Sequence, residues 1–170
     1  MELISLMKDR YSAREFDRSK PIAAETMDAI LEAARLAPTG CNSQQVKIYV
    51  IGSPEALAKA EQCSACIYNA PTALLICYDD THPDSHLEIN EVNVGLVDTA
   101  IVATHAILAA TELGVNTCWV CWFEQDKVME LFDLPEGWKP ACFIPMGYST
   151  GTPSERHFIR KPLDELVERV

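Results

Sequence analysis

The chain has 170 residues, enough for one compact domain with a proper apolar core. Hydrophobic residues make up 48% and charged residues 23%, the balance of an ordinary soluble protein. Lys and Arg number 14 against 25 Asp and Glu, a net charge of -11, which argues against nucleic-acid or anionic-membrane partners because both need clustered positive charge.

Residues 2–9 form a short predicted helix, with Leu3, Ile4 and Met7 on one side. The N-terminal residues lack a basic stretch followed by a long apolar run, so no secretory signal is expected. Pro21 to Leu36 reads as a second helix from the spacing of Met27, Ile30, Leu31 and Ala34, ended by Pro38 and Gly40. Val46 to Ile51 is a strand, and Pro54 to Glu61 a short helix opening on proline. Thr72 to Tyr78 is a continuous apolar run of strand length, expected to be buried on both faces. A long helix starts at Leu87 or Asn93 and runs to Leu113, capped by Gly114. Its apolar residues wrap most of its circumference, but Asp98, His105 and Glu112 favour a buried core helix over a membrane span. Val115 to Trp122 is a third strand, Glu124 to Leu134 an amphipathic helix, and Ala141 to Met146 a fourth strand. A last short helix is expected near Pro162-Leu163. Helices alternating with strands predict a single α/β (α+β) domain over residues 1–170, a three-layer sandwich with a central mixed sheet flanked by helices.

Three clusters carry candidate chemistry. Arg10, Tyr11, Ser12 and Arg14 form a small basic group, a local exception in an acidic chain. Guanidinium groups clamp phosphate and a hydroxyl between them completes an anion site, although a solvated basic turn would look the same. Pro38, Thr39, Gly40, Asn42 and Gln44 lie in a polar loop whose amides both donate and accept, as an ordinary connection would also allow. Thr117 to Phe123 combines aromatic residues with Cys118 and Cys121. With Cys63 and Cys66 these suggest paired zinc knuckles. About fifty residues separate the pairs, where zinc sites usually have 12–20, so packed thiols are the blander account and no metal is expected. Seven cysteines cannot all pair within the chain, which suits reduced thiols in a cytoplasm. His105, mid-helix among Ala, Ile and Leu, reads as a core histidine. Neither a Gly-x-Gly-x-x-Gly nor a Walker loop is present.

In this order, the segments resemble the nitroreductase family of flavin mononucleotide (FMN)-dependent enzymes from about Met7 to Leu166. The long helix, Glu112-Leu113-Gly114, Thr117-Cys118-Trp119, Leu134-Pro135-Glu136-Gly137 and Met146-Gly147-Tyr148 follow the family's course. Arg10-x-Ser12-x-Arg14 resembles its phosphate signature, Ala37-Pro38-Thr39 with Asn42 and Gln44 its Ala-Pro-Ser loop, and Arg160-Lys161-Pro162-Leu163 its C-terminal basic segment.

The resemblance implies a homodimer with two FMN at the interface. Arg10, Ser12, Arg14 and Arg160 would hold the phosphate, and Tyr11 would also be among the cofactor-binding residues. Pro38, Thr39 and Gly40 would approach from the partner subunit, with Asn42 and Gln44 close by. The backbone of Val120, Cys121 and Trp122 would run along the flavin ring, with Trp122 lining the acceptor site. Hydride would pass from NADH or NADPH through the flavin N5 to small electrophilic acceptors such as nitroaromatics, quinones or enones, by a ping-pong mechanism. A flavin-binding or storage protein without turnover is the alternative, and a zinc-binding protein a further one. This chain has Cys121-Trp122 where many compact relatives have Gly-Gly, and Phe158 where relatives often carry Lys. No base that would neutralise the flavin N1 region is identifiable between Gln62 and Asn69.

Overall fold

The structure, a computed structural model, describes residues 2–85 and 92–170. In chain order these form α1 (Leu3–Asp9), α2 (Ala24–Arg35), β1 (Val46–Ile51), α3 (Pro54–Cys63), β2 (Thr72–Asp79), α4 (Val94–Glu112), β3 (Asn116–Thr117), α5 (Gln125–Leu131) and β4 (Trp138–Gly147). Local chemistry sets several of the boundaries. Ser53 caps α3 by accepting from the Ala56 amide, with Pro54 in the first turn. Asn93 caps α4 by accepting from the Leu96 amide, so α4 begins at the later of its two expected starts, and Leu87 lies outside the described residues. Gly114, at φ +75°, takes the left-handed position that follows the helix.

The sheet order is β1-β2-β4-β3, and every pair of strands is antiparallel. This corrects the expected mixed sheet: the parallel component is a single bridge between Ser12 and Thr117. Ile51, which ends β1, lies opposite Ala73, near the start of β2. The chain therefore leaves and re-enters at one end of the sheet, and α3 belongs to a long hairpin connection rather than a parallel crossover.

The third strand is also shorter than expected. Beyond Thr117, the Cys118 amide donates to the Pro145 carbonyl at 3.1 Å, but Pro145 has no N–H to return the bond. Pairing resumes only at the bridge between Val120 and Phe143. At the other end, β4 runs back past Pro140 to Trp138, because a shift of register opposite Ile76 and Cys77 absorbs the irregularity.

Two-residue periodicity splits the core into two layers. Leu74 and Ile76 of β2, with Ile144 and Met146 of β4, pack under α2 and α4. Ala73, Leu75, Cys77 and Phe143 face the opposite way, toward α3 and α5. The result is the expected three-layer sandwich, and β2 is apolar throughout because both of its faces are covered. α4 is long and apolar enough to cross a membrane, at a mean hydropathy of 1.6. Here it packs against α2 and the sheet, with Asp98 buried along it.

Candidate functional site

The first basic cluster lies on extended backbone. Arg10 ends α1, and the Ala13 amide donates to the Thr117 carbonyl at 2.9 Å, holding the segment along β3. Ala13 and Phe16 point into a small apolar cluster with Ala70. In an extended chain residues two apart share a face, so positions 10, 12 and 14 fall on one side, a better explanation of their spacing than four-residue separation. Tyr11 donates its hydroxyl to the Gly151 carbonyl at 3.2 Å, tying the segment to the C-terminal part of the chain.

Arg10, Tyr11, Ser12, Arg14 and Arg160 line one cavity of about 200 Å³, so the structure brings together the four residues expected at the phosphate, with Tyr11 beside them. Sequence reasoning missed Ser154, Arg156 and His157, which complete its wall. No carboxylate lines it, and among the described residues none pairs with Arg10, Arg14, Arg156 or Arg160. The spacing of Arg156 and His157 ahead of Arg160, on one short turn (Glu155–Phe158), was the available signal. Arg160 donates to the carbonyls of His157 and Ile159, the latter at 2.7 Å.

Arg10 and Ser12 also border a neighbouring apolar cavity of about 310 Å³, walled by Met7, Ile107, Leu108 and Trp119. The third cluster continues from there. Val120 is buried and exchanges both backbone bonds with Phe143 at 2.9 Å. Cys121 and Trp122 emerge from the sheet; the Trp122 side chain is 82% exposed, and its carbonyl accepts from the Ser64 hydroxyl. Their two amides make no hydrogen bond among the described residues, which leaves a pair of donors free at a strand end.

The polar loop sits elsewhere. Asp98, 2% exposed, accepts from the Gly40 amide at 3.0 and 3.2 Å and from the Gln45 amide group at 3.4 Å. The Thr39 hydroxyl accepts from the Gln44 amide at 3.1 Å, and Gln44 donates to the Asn42 carbonyl at 3.3 Å. Cys41, Asn42 and Gln44 all have positive φ, which is uncommon for non-glycine residues and concentrates strain here. A Cβ on Gly40 would meet Val94 at 2.5 Å, so only glycine fits against α4. The Ser43 hydroxyl is buried without a partner among the described residues. Pro38 lies in the turn between α2 and this loop. The loop leads into β1, while the arginine segment pairs with β3. They occupy opposite edges of the sheet, whose edge strands β1 and β3 are roughly 14 Å apart by strand spacing, and they line different cavities. Within one chain the two halves of the expected site do not meet.

The cysteines behave mainly as small apolar groups. Cys63, Cys77, Cys118 and Cys142 are buried, all seven are free thiols, and among the described residues no three His, Cys, Asp or Glu come together as a metal set. Burial pushes the Cys118 thiol up, while nearby Arg14 pulls it the other way. His105 is partly exposed, and its Nδ1 lies 2.9 Å from the Ile101 carbonyl one turn back.

The nitroreductase family profile matches residues 7–148, spanning the arginine segment, the loop and the whole sheet. The chain belongs to the nitroreductase family. Among solved structures, this family member is similar to a nitroreductase family protein of Clostridium difficile 630, at 37% identity and a TM-score of 0.91, covering 99% of this chain and 98% of that one. It is also similar to an FMN-dependent nitroreductase of Clostridium difficile R20291, at 28% identity and a TM-score of 0.75 over 88% of each chain. Its sequence is 30% identical to the FMN reductase [NAD(P)H] of Bacillus subtilis over 165 residues, 86% of this chain and 66% of that protein.

Proposed function

We propose that this nitroreductase-family protein is an FMN-dependent oxidoreductase using NADH or NADPH. The observation that carries the reading is the acid-free cavity of Arg10, Ser12, Arg14 and Arg160 in a chain of net charge -11. It opens beside an apolar cavity, and the free amides of Cys121 and Trp122 lie further along the same segment. These residues fit a phosphorylated flavin: guanidinium groups and the Ser12 hydroxyl for the phosphate, apolar walls for the ring, and backbone donors for its polar edge. The names of the Clostridium and Bacillus relatives support the same cofactor. Bound FMN would supply hydride chemistry, accepting from the nicotinamide and giving to nitroaromatics, quinones or enones in alternating half-reactions. The chain's own residues bind and orient it. Arg10, Arg14 and Arg160 neutralise the phosphate, the strand end presents donors, and Trp122 limits what enters above.

The working unit in this reading is a homodimer. Leu3, Ile4 and Met7 of α1, Leu96 and Val97 of α4, and Trp119 are exposed, an apolar surface flanking the candidate site. A second copy would cover that surface and bring its own Pro38–Gln44 loop to the site, as the separation of loop and arginines within one chain requires. Seven free thiols support a reducing, cytoplasmic setting.

The test is spectroscopic. The purified protein should carry noncovalent flavin and lose its colour quickly when mixed anaerobically with NADH or NADPH. Protein that stays colourless when given FMN would overturn the cofactor. Flavin that binds but is not bleached would favour a binding protein without turnover, the reading to which the exposed Trp122 indole at the acceptor side gives support.

A further inference from the structure

Phe158 stands 74% exposed and does not line the arginine cavity, so the position where relatives often carry a lysine contributes no charge here. The two residues before it do line the cavity. We propose that Arg156 and His157 replace that missing base and complete a binding site for a phosphate monoester. The ligand's identity as FMN rests on the flavin reading above; the phosphate chemistry rests on the cavity alone.

The imidazole is held on three sides. The Phe158 ring meets it edge-on at 4.9 Å, the Tyr11 ring at 6.3 Å, and Nε2 lies 3.0 Å from the Lys8 carbonyl. A carbonyl only accepts, so Nε2 carries the proton. Nδ1 is left for the anion and can donate to it only when the ring is an imidazolium. Arg10, Tyr11, Ser12 and Arg14 from the N-terminal segment, and Ser154, Arg156 and Arg160 from the C-terminal part, line the same cavity, with no carboxylate among them.

Inorganic phosphate is first titrated into the full chain while the histidine ring nitrogens are followed by NMR, with His157→Gln assigning the signal. FMN and riboflavin are then bound to flavin-free wild type, His157→Gln and Arg156→Gln. Phosphate should move the His157 signal. His157→Gln and Arg156→Gln should each lose roughly tenfold in FMN affinity, with riboflavin unchanged. A His157 signal that ignores phosphate, or variants that weaken riboflavin as much as FMN, would overturn the proposal. If wild type binds neither flavin, the flavin reading fails and the phosphate titration alone decides the site.

Discussion

The two ends of the candidate site place opposite demands on single residues. Arg14 offers charge to an anion from an exposed position, whereas Trp122 offers bulk above a strand end whose backbone supplies the donors. Arg14→Ala should therefore weaken FMN binding at least about tenfold, read by flavin fluorescence. Trp122→Gly should leave FMN content nearly unchanged but shift acceptor preference toward larger nitroaromatics or quinones in steady-state assays. The reverse pattern would mean the two ends are assigned wrongly. Asp98 makes a different kind of prediction, because it is buried and fixes the strained loop through Gly40 and Gln45. Asp98→Ala leaves a buried amide without its acceptor and should cost about 1–3 kcal/mol of stability, measured by urea unfolding. Asp98→Asn keeps an acceptor oxygen and should recover part of that loss.

At the scale of elements, β4 ties the two layers together. Phe143 is fully buried and meets Phe123 edge-on at 5.3 Å and Phe132 at 6.3 Å. Phe143→Ala should destabilise by about 3–5 kcal/mol, with the urea midpoint as readout. The termini of β1, β2 and α4 were legible because apolar runs and caps are local signals: Ser53-Pro54, Asn93 and Gly114 each act within one turn of the backbone. The ends of β3 and β4 were not. They depend on what Cys118 and Cys77 meet across the sheet, namely Pro145 and Pro140, which no local pattern reports. The antiparallel sense of β2 was hidden for the same reason, since it depends on where the chain re-enters the sheet after α3.

For the whole molecule, association and alkaline stability are the measurable properties. Leu96 and Val97, each 47% exposed, can be changed with little effect on the core. Leu96→Glu with Val97→Glu should shift a dimer toward monomer in light scattering and lower FMN affinity along with it. A monomeric wild type carrying full flavin would refute the shared site. Burial pushes the Cys77 thiol up to about 12 and raises Cys142 further still. Both stay protonated in the fold while in the unfolded chain they ionise near the ordinary thiol value of 9.0. The unfolded state then binds fewer protons, so stability is unaffected below about pH 8.5 and falls above it, by about 1.4 kcal/mol per pH unit for each such thiol. Urea midpoints at pH 7.5 and 10 check this, and equal midpoints would contradict it.

The sequence by itself determined the kinds of elements, the double burial of β2, and the basic segment around Arg10, Ser12 and Arg14, because periodicity, capping and charge contrast act over a few residues. It could not show that Arg156 and His157 face that segment across about 140 positions of chain, or that Asp98 holds the loop at Gly40. Nor could it show that the loop and the arginines stand at opposite edges of the sheet. Those facts are set by strand order and by the packing of α4, in which residues far apart in the chain share one surface. Only the tertiary structure decides which of them meet.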